Sequence, residues 1–186
     1  MLPIGTKLFL GYLLCINPTP NVTSVPYNAY PRVFTIDVDT LAFAISKVAQ
    51  AEDMVDRPLA LFKVHKKRKY CNPKPNGISE VCYVKGLFPD QNVAARVEHF
   101  NQFPKVDSPI LPEVDIQISS MHFKIAVSEE NKGLIFVHEL LHTYYIDHTD
   151  TQPNIMTSSL TDFKPSILKK DINFLRCIIM DVNNEK

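Results

Sequence analysis

Hydrophobic and polar positions alternate over residues 32–39, RVFTIDVD, and this period of two predicts a β-strand. Over residues 40–55 the pattern changes, and apolar residues recur at helical spacing with alanines between them. The residues that share this helical face are Leu41, Ile45, Val48 and Val55. Asp39 or Thr40 stands at the predicted amino end of the helix and can cap it.

Further along the chain, short apolar runs rich in β-branched residues predict more strands. These runs are 59–70, 80–88, 113–120 and 122–128. The segment between the first two, residues 71–79, contains two prolines and a glycine and is typical of a turn. Residues 89–111 are punctuated by prolines without a clear period, so they are interpreted as irregular.

Two helices are predicted in the last part of the chain. The first begins at Gly133 and continues through LIFVHELLHTYY, with Val137, Leu141 and Tyr144 facing the core. The second begins near Ser166, and its apolar residues form one regular stripe. They are Leu168, Ile172, Leu175 and Ile179. Together these elements predict an α+β fold. It consists of a mixed twisted sheet, the helix that begins at Gly133 and carries the histidines, and a C-terminal helix.

The first 31 residues differ from the rest. Residues 8–16, LFLGYLLCI, form an apolar run that is too short to span a bilayer. It is either the core of a signal peptide or a buried strand. Residues 1–31 are therefore interpreted as a signal peptide or N-terminal extension, and residues 32–186 as one folded domain. A signal peptide implies a secreted or extracellular protein, and the alternative is an intracellular one.

The 20 basic and 20 acidic residues of the chain cancel, which gives no indication of a nucleic-acid partner. The one basic run, residues 65–69, HKKRK, is interpreted as a solvated strand end rather than a nucleic-acid patch. No transmembrane segment is predicted, and a monomer is expected.

The four cysteines form no CxxC pair, which disfavours a zinc site made of cysteines. Cys71 and Cys82 flank the predicted turn at 71–79. A turn of this kind can bring two ends of chain together, so a disulfide is permitted but not required.

The candidate chemistry lies in HELLHTYYIDH, residues 138–148. His138 and His142 are four residues apart, so on a helix both imidazoles can reach one metal ion. Glu139 points about 100° around the helix from His138 and can take a proton from a water on that metal. His148 would leave this face in a continuous helix, so the chain must turn for it to become a third ligand.

HELLHTYYIDH resembles the extended zinc signature of the metzincin metallopeptidases, HExxHxxGxxH, at four of its five defining positions. The downstream NIMTSSL resembles the Met-turn of that family. The resemblance implies a zinc metallopeptidase catalytic domain over residues 32–186, with Zn²⁺ held by His138, His142 and His148. It also implies that Glu139 is the general base and that Met156 is a structural residue beneath the metal.

The same resemblance implies a protein or peptide substrate, bound in extended form along an edge strand of the sheet. The predicted strands at 113–120 and 122–128 are both candidates for that edge.

Tyr145 is the departure from the family signature, because a glycine is expected at this position. A non-glycine residue in a left-handed conformation costs about 1–2 kcal/mol. Either the chain turns at another residue, or Tyr145 is strained, or His148 is not a ligand. In the last case Asp147 and Asp150 are the alternative oxygen ligands.

The leading functional hypothesis is a zinc endopeptidase that hydrolyses peptide bonds with a metal-activated water. The alternative is a zinc-bound but non-catalytic domain of the same fold that binds a peptide or protein. A third hypothesis, a structural protein with a fortuitous motif, predicts no zinc. Glu139 favours catalysis, because a binding domain gains nothing from that carboxylate, whereas Tyr145 weakly favours the non-catalytic alternative.

Overall fold

The computed structural model describes residues 31–55, 58–90, 92–100, 113–125, 127–144, 147–148 and 155–157. This part of the chain contains five strands and three helices, which confirms the predicted α+β class. None of these three helices is both long enough and apolar enough to cross a membrane. The predicted signal peptide and the predicted helix from Ser166 lie outside the described residues.

The first strand and the first helix follow the sequence pattern. Strand β1 spans Arg32–Asp37 and helix α1 spans Val38–Val55. The carboxylate of Asp37 accepts the backbone N–H of Thr40 at 3.1 Å and the Thr40 hydroxyl at 2.6 Å. Asp37 therefore caps α1, and the prediction of Asp39 or Thr40 as the cap is wrong by two or three positions.

The buried face of α1 combines small residues with Val48, which is 1% exposed. Ala44 and Ala51 are fully buried, whereas Ile45 is 46% exposed, so the predicted placement of Ile45 on the core face is wrong. Helix α3, Glu129–His142, packs closely against α1. A Cβ at Gly133 would lie only 2.7 Å from the backbone oxygen of Phe43.

The strands form one mixed arrangement. The other four strands are β2 (Ala60–His65), β3 (Val81–Val84), β4 (Ala95–His99) and β5 (Val114–Ser119). β1 pairs with β2 and β3 with β5, both in parallel, and β4 pairs with β5 antiparallel. A parallel bridge between Thr35 and Glu80 joins the two groups and gives the order β2-β1-β3-β5-β4. The carboxyl ends of β1, β2, β3 and β5 therefore lie at one edge of the sheet.

The main core lies between this sheet and helices α1 and α3. Its strand residues include Phe34, Ile36, Ile116 and Ile118, all no more than 1% exposed. Val137, Leu141 and Tyr144 are buried as the sequence predicts. α3 begins at Glu129, four residues before the predicted start, because the Ser128 side chain accepts the N–H of Asn131 and caps it there.

The predicted strand over 122–128 is wrong. Helix α2, Ser120–Ile125, occupies most of that stretch. The Ser119 hydroxyl accepts the backbone N–H of His122 at 3.1 Å, and this cap begins the helix. Only Phe123 of α2 is buried, so the apolar pattern of this short segment does not separate a helix from a strand.

The prediction of an irregular segment over 89–111 is wrong at β4. This strand is held by polar side chains: Gln117 on β5 donates to Glu98 and accepts from Arg96. In the described part of the chain β4 pairs only with β5, whereas β5 has a neighbour on both sides. Among the strands that the structure describes, β4, and neither 113–120 nor 122–128, is therefore the edge on this side of the sheet.

A disulfide joins Cys71 and Cys82, whose Cα atoms are 4.9 Å apart. The backbone also closes this connection, since Cys71 N–H donates to the oxygen of Tyr83 and Tyr83 N–H donates to the oxygen of Lys69. The disulfide that the sequence permits is thus present, and it holds the β2–β3 connection against β3.

Candidate metal centre

Three histidine side chains meet at the carboxyl end of α3. His138 and His142 belong to its last turn and a half, and His148 comes from the segment that follows. The Nε2 atoms are 3.0 Å apart between His138 and His142, 3.1 Å between His142 and His148, and 3.2 Å between His138 and His148. No other group of three histidine, cysteine or acidic residues in the described ranges could hold a metal ion.

The proton on the His138 ring is placed by the backbone. Its Nδ1 lies 2.6 Å from the oxygen of Ile155, and a carbonyl oxygen can only accept. Nδ1 therefore carries the hydrogen, and the lone pair of Nε2 points toward the other two histidines. Burial, followed by the nearby His142, lowers the pKa of His138 to about 3, so this imidazole is neutral at pH 7.

The arrangement fits a zinc ion. Three nitrogens bound tetrahedrally at about 2.0–2.1 Å from one zinc ion lie about 3.3 Å from each other. The three Nε2 atoms are 3.0–3.2 Å apart, close to that spacing. A metal ion would also remove the repulsion between lone pairs that point at one centre. A histidine whose second nitrogen donates to a backbone oxygen, as His138 does, is typical of metal ligands.

Glu139 is a buried carboxylate next to the first of these histidines. Its side chain is only 6% exposed, and in the described part of the chain it makes no hydrogen bond or ion pair. Burial raises the pKa of Glu139 to about 8. Its oxygens are not among the fully buried polar atoms without a partner in the described residues, so the carboxylate keeps some contact with solvent. A cation held by the histidines would favour its ionised form.

Helix α3 ends six residues before the third histidine, His148. The Thr143 hydroxyl donates to the oxygen of Leu140 at 2.6 Å, and its N–H is shared between the oxygens of Glu139 and Leu140. α3 ends at His142, and His148 reaches the other two imidazoles. Tyr145, where the family signature has glycine, lies outside the described residues.

The segment 155–157 lies against the site. The backbone oxygen of Ile155 contacts the His138 ring, and Ile155 and Met156 are 2% and 0% exposed. Both residues lie in a turn. The predicted structural methionine is therefore fully buried in a segment that supports one of the three ligands.

His99 is a residue of this region for which the sequence predicts no role. It ends β4, and its ring hydrogen-bonds the backbone oxygen of His142. Burial, and next the nearby Arg32, lowers the pKa of His99 to about 4, so it is neutral at pH 7. A single histidine in a short polar strand gives no sequence signal. Only the pairing of β4 with β5 brings it to the end of α3.

Of the two alternative oxygen ligands, Asp147 and Asp150, only Asp147 belongs to the described residues, and it is not part of the histidine cluster. Asp147 is exposed and does not belong to the group of three histidines. Asp150 lies outside the described residues.

Comparison with models of known protein families gives no match to this sequence, and no curated protein matches it. The function therefore has to be inferred from the residues of the site and their geometry.

Proposed function

We propose that this protein is a zinc-dependent endopeptidase of metzincin type. The observation that carries the proposal is the convergence of three Nε2 atoms, from His138, His142 and His148, with the His138 proton held at Nδ1. The resemblance to the metzincins also implies an order of strand, long helix, mixed strands and active-site helix, and the described elements follow this order, which supports the proposal.

The three histidines would hold the zinc ion as neutral ligands. When bound, zinc supplies Lewis-acid activation of a water molecule and of the scissile carbonyl. Glu139 lies beside the ligands and accepts the proton of the attacking water at its carboxylate. The same carboxyl group then donates that proton to the leaving amine. Burial raises the pKa of Glu139 in the metal-free protein and so favours its protonated form, whereas a bound zinc ion would favour the carboxylate that accepts the proton.

The substrate would be a peptide laid beside β4. This strand pairs only with β5 in the described ranges, so its other edge can accept backbone hydrogen bonds from an extended chain. β4 packs against α3 and ends at His99, whose ring contacts the end of that helix. A peptide paired with β4 would therefore run toward the three histidines. We expect the enzyme to act as a monomer without nucleic acid.

We also propose that the protein is secreted or extracellular. The Cys71–Cys82 disulfide supports this, because disulfides persist in oxidising compartments. Alkylation of the unreduced protein from its natural source, followed by mass spectrometry, should leave both cysteines unlabelled. Full labelling of both would contradict this location.

The decisive experiment combines metal content with hydrolysis. Elemental analysis of the purified parent should give about one zinc per chain, and the parent should cleave an unfolded protein such as reduced casein. Glu139→Gln keeps the size of the side chain but cannot accept the proton. It should retain zinc and lose activity by about a hundredfold to ten-thousandfold.

His122→Ala is the matched control, since His122 lies outside the three-histidine cluster. It should keep both the zinc and the activity. A parent that binds zinc but cleaves no peptide would indicate the non-catalytic binding domain, and a parent that binds no zinc would refute both.

A further inference from the structure

A second candidate site lies away from the histidines, in a cleft of about 320 Å³ that we call the basic cleft. The residues that define it are Phe43, Arg68, Tyr83, Phe123, Lys124 and Lys132. Its volume is at the lower end of the range for small-molecule sites. Asp39 and Glu129 also line it, so three cations face two carboxylates and the formal charge is positive by one.

The topology of the sheet explains why these residues meet. Four strands are parallel, so the chain segments that follow them lie at the same edge. Phe43 comes from α1, which follows β1, Arg68 follows β2, and Lys124 comes from α2, which follows β5. The crevice beyond the carboxyl ends of parallel strands is a common place for ligands in α/β sheets.

The basic cleft is separate from the histidine cluster. Lys132 lies in the first turn of α3 and His142 is its last residue, which places them about 15 Å apart along the helix axis. Tyr144, beyond His142, donates a hydrogen bond to the oxygen of Leu59, just before β2 begins. The histidines are therefore near the amino ends of the parallel strands and the basic cleft is near their carboxyl ends.

Two of the cations in the cleft have no carboxylate partner in the described part of the chain. Lys132 forms an ion pair with Glu129, but Arg68 and Lys124 form none there. The Arg68 guanidinium lies 4.1 Å above the centre of the Tyr83 ring. This cation–π contact uses the face of the guanidinium, and the N–H groups, which lie in the plane of the guanidinium itself, can donate to an oxyanion.

The remaining wall is aromatic. The rings of Phe43 and Phe123 have their centres 5.3 Å apart. The amine of Lys132 lies 5.9 Å from the centre of the Phe123 ring. Charged and apolar surfaces thus stand side by side in a cleft whose volume suits a small molecule.

We propose that the basic cleft binds a small organic anion, with its phosphate or carboxylate group at Arg68 and Lys124 and its apolar body against Phe43 and Phe123. The basic run at 65–69 is then more than a solvated strand end, because one of its members forms part of a site.

Isothermal titration with phenyl phosphate tests the proposal, with phenylacetate as the carboxylate probe and inorganic phosphate as the probe without an apolar body. At least one aromatic probe should bind about tenfold more tightly than inorganic phosphate, because only these probes reach the phenylalanines. Arg68→Gln and Lys124→Gln should each weaken this binding about tenfold. Lys67→Gln is the matched control, because Lys67 belongs to the same basic run but does not line the cleft. This variant should bind the aromatic probe with the affinity of the parent.

The titration is repeated in EDTA and with His148→Ala, where binding should persist because the two sites are at opposite ends of α3. Loss of binding in EDTA would mean that the probe binds a metal ion instead, and would overturn the proposal. So would the absence of binding by both aromatic probes. A heparin fragment could also displace the aromatic probes, with Lys67→Gln and Arg68→Gln weakening heparin binding equally. This result would identify a diffuse surface for polyanions and would overturn the proposal of a specific site in the cleft.

Discussion

The Nδ1 atom of His138 lies 2.6 Å from the backbone oxygen of Ile155, so one ring both faces the metal centre and fastens the 155–157 segment to α3. We expect His138→Ala to destabilise the metal-free protein by about 1–3 kcal/mol, because a buried carbonyl loses its donor. His148→Ala should change that stability by less than about 0.5 kcal/mol, because His148 is exposed. Urea denaturation in EDTA measures both, and equal effects of the two substitutions would contradict this role of His138.

Zinc should stabilise the folded protein by mass action. At a free zinc concentration one hundred times the dissociation constant, the free energy of unfolding should rise by about 2.7 kcal/mol. His142→Ala and His148→Ala should each lose most of this gain, because each removes one of three clustered nitrogens. Thermal denaturation with zinc and with EDTA gives the comparison. A zinc effect of undiminished size in His148→Ala would show that His148 is not a ligand.

Stability should also depend on the ionisation of Asp115. Burial, and then the nearby Glu113 and Glu80, raises the pKa of Asp115 from 3.8 to about 7. Between about pH 4 and pH 7 the folded protein keeps a proton that the unfolded chain has lost, so stability falls as pH rises through this window. Asp115→Asn retains the oxygen that accepts the Glu80 N–H and removes the titration.

We therefore expect Asp115→Asn to be more stable than the parent at pH 8 by roughly 2 kcal/mol, and to differ little from it at pH 4. Denaturation at several pH values tests this prediction. Asp53→Asn, which changes an exposed carboxylate on α1, is the control and should follow the parent. Parallel pH profiles for the parent and Asp115→Asn would show that Asp115 ionises normally.

Gly133 should not tolerate alanine, although alanine favours helices by about 1 kcal/mol over glycine. A Cβ at Gly133 would lie 2.7 Å from the Phe43 oxygen and 2.7 Å from the Lys47 Cγ atom. We expect Gly133→Ala to cost about 1–3 kcal/mol, measured by urea denaturation. Lys47→Ala in the same background should restore only part of this loss, because the Phe43 oxygen belongs to the backbone. A stabilised Gly133→Ala would mean that α1 and α3 separate easily.

The histidine spacing was readable from the sequence because it is local. His138 and His142 are one helical turn apart, and Val137 and Leu141 mark the buried face of the same helix. The sequence also indicated that the chain must leave the helix before His148. The last residue of α3, His142, is not indicated by apolar periodicity.

The sequence does not predict the edge strand β4, because the contacts that stabilise it are not local. β4 reads ARVEH, with only two apolar residues, and it is held by Gln117 on β5 across the sheet. The position of His99 beside His142 depends on the pairing of β4 with β5, so the sequence does not indicate it either. The predicted strand at α2 is wrong for the opposite reason: its apolar residues favour a strand, and the cap from Ser119 that begins the helix is a single hydroxyl.

The two ends of helix α3 lie at the two proposed sites, the basic cleft at the amino end and the three histidines at the carboxyl end. The peptide dipoles of a helix add to a partial positive charge at its amino end and a partial negative charge at its carboxyl end. The carboxyl end carries His142 and the proposed cation site, and the first turn carries Lys132 in the basic cleft. The backbone field of one helix therefore favours a cation at one end and an anion at the other. If the helix ran in the opposite direction, its dipole would disfavour the cation at one site and the anion at the other.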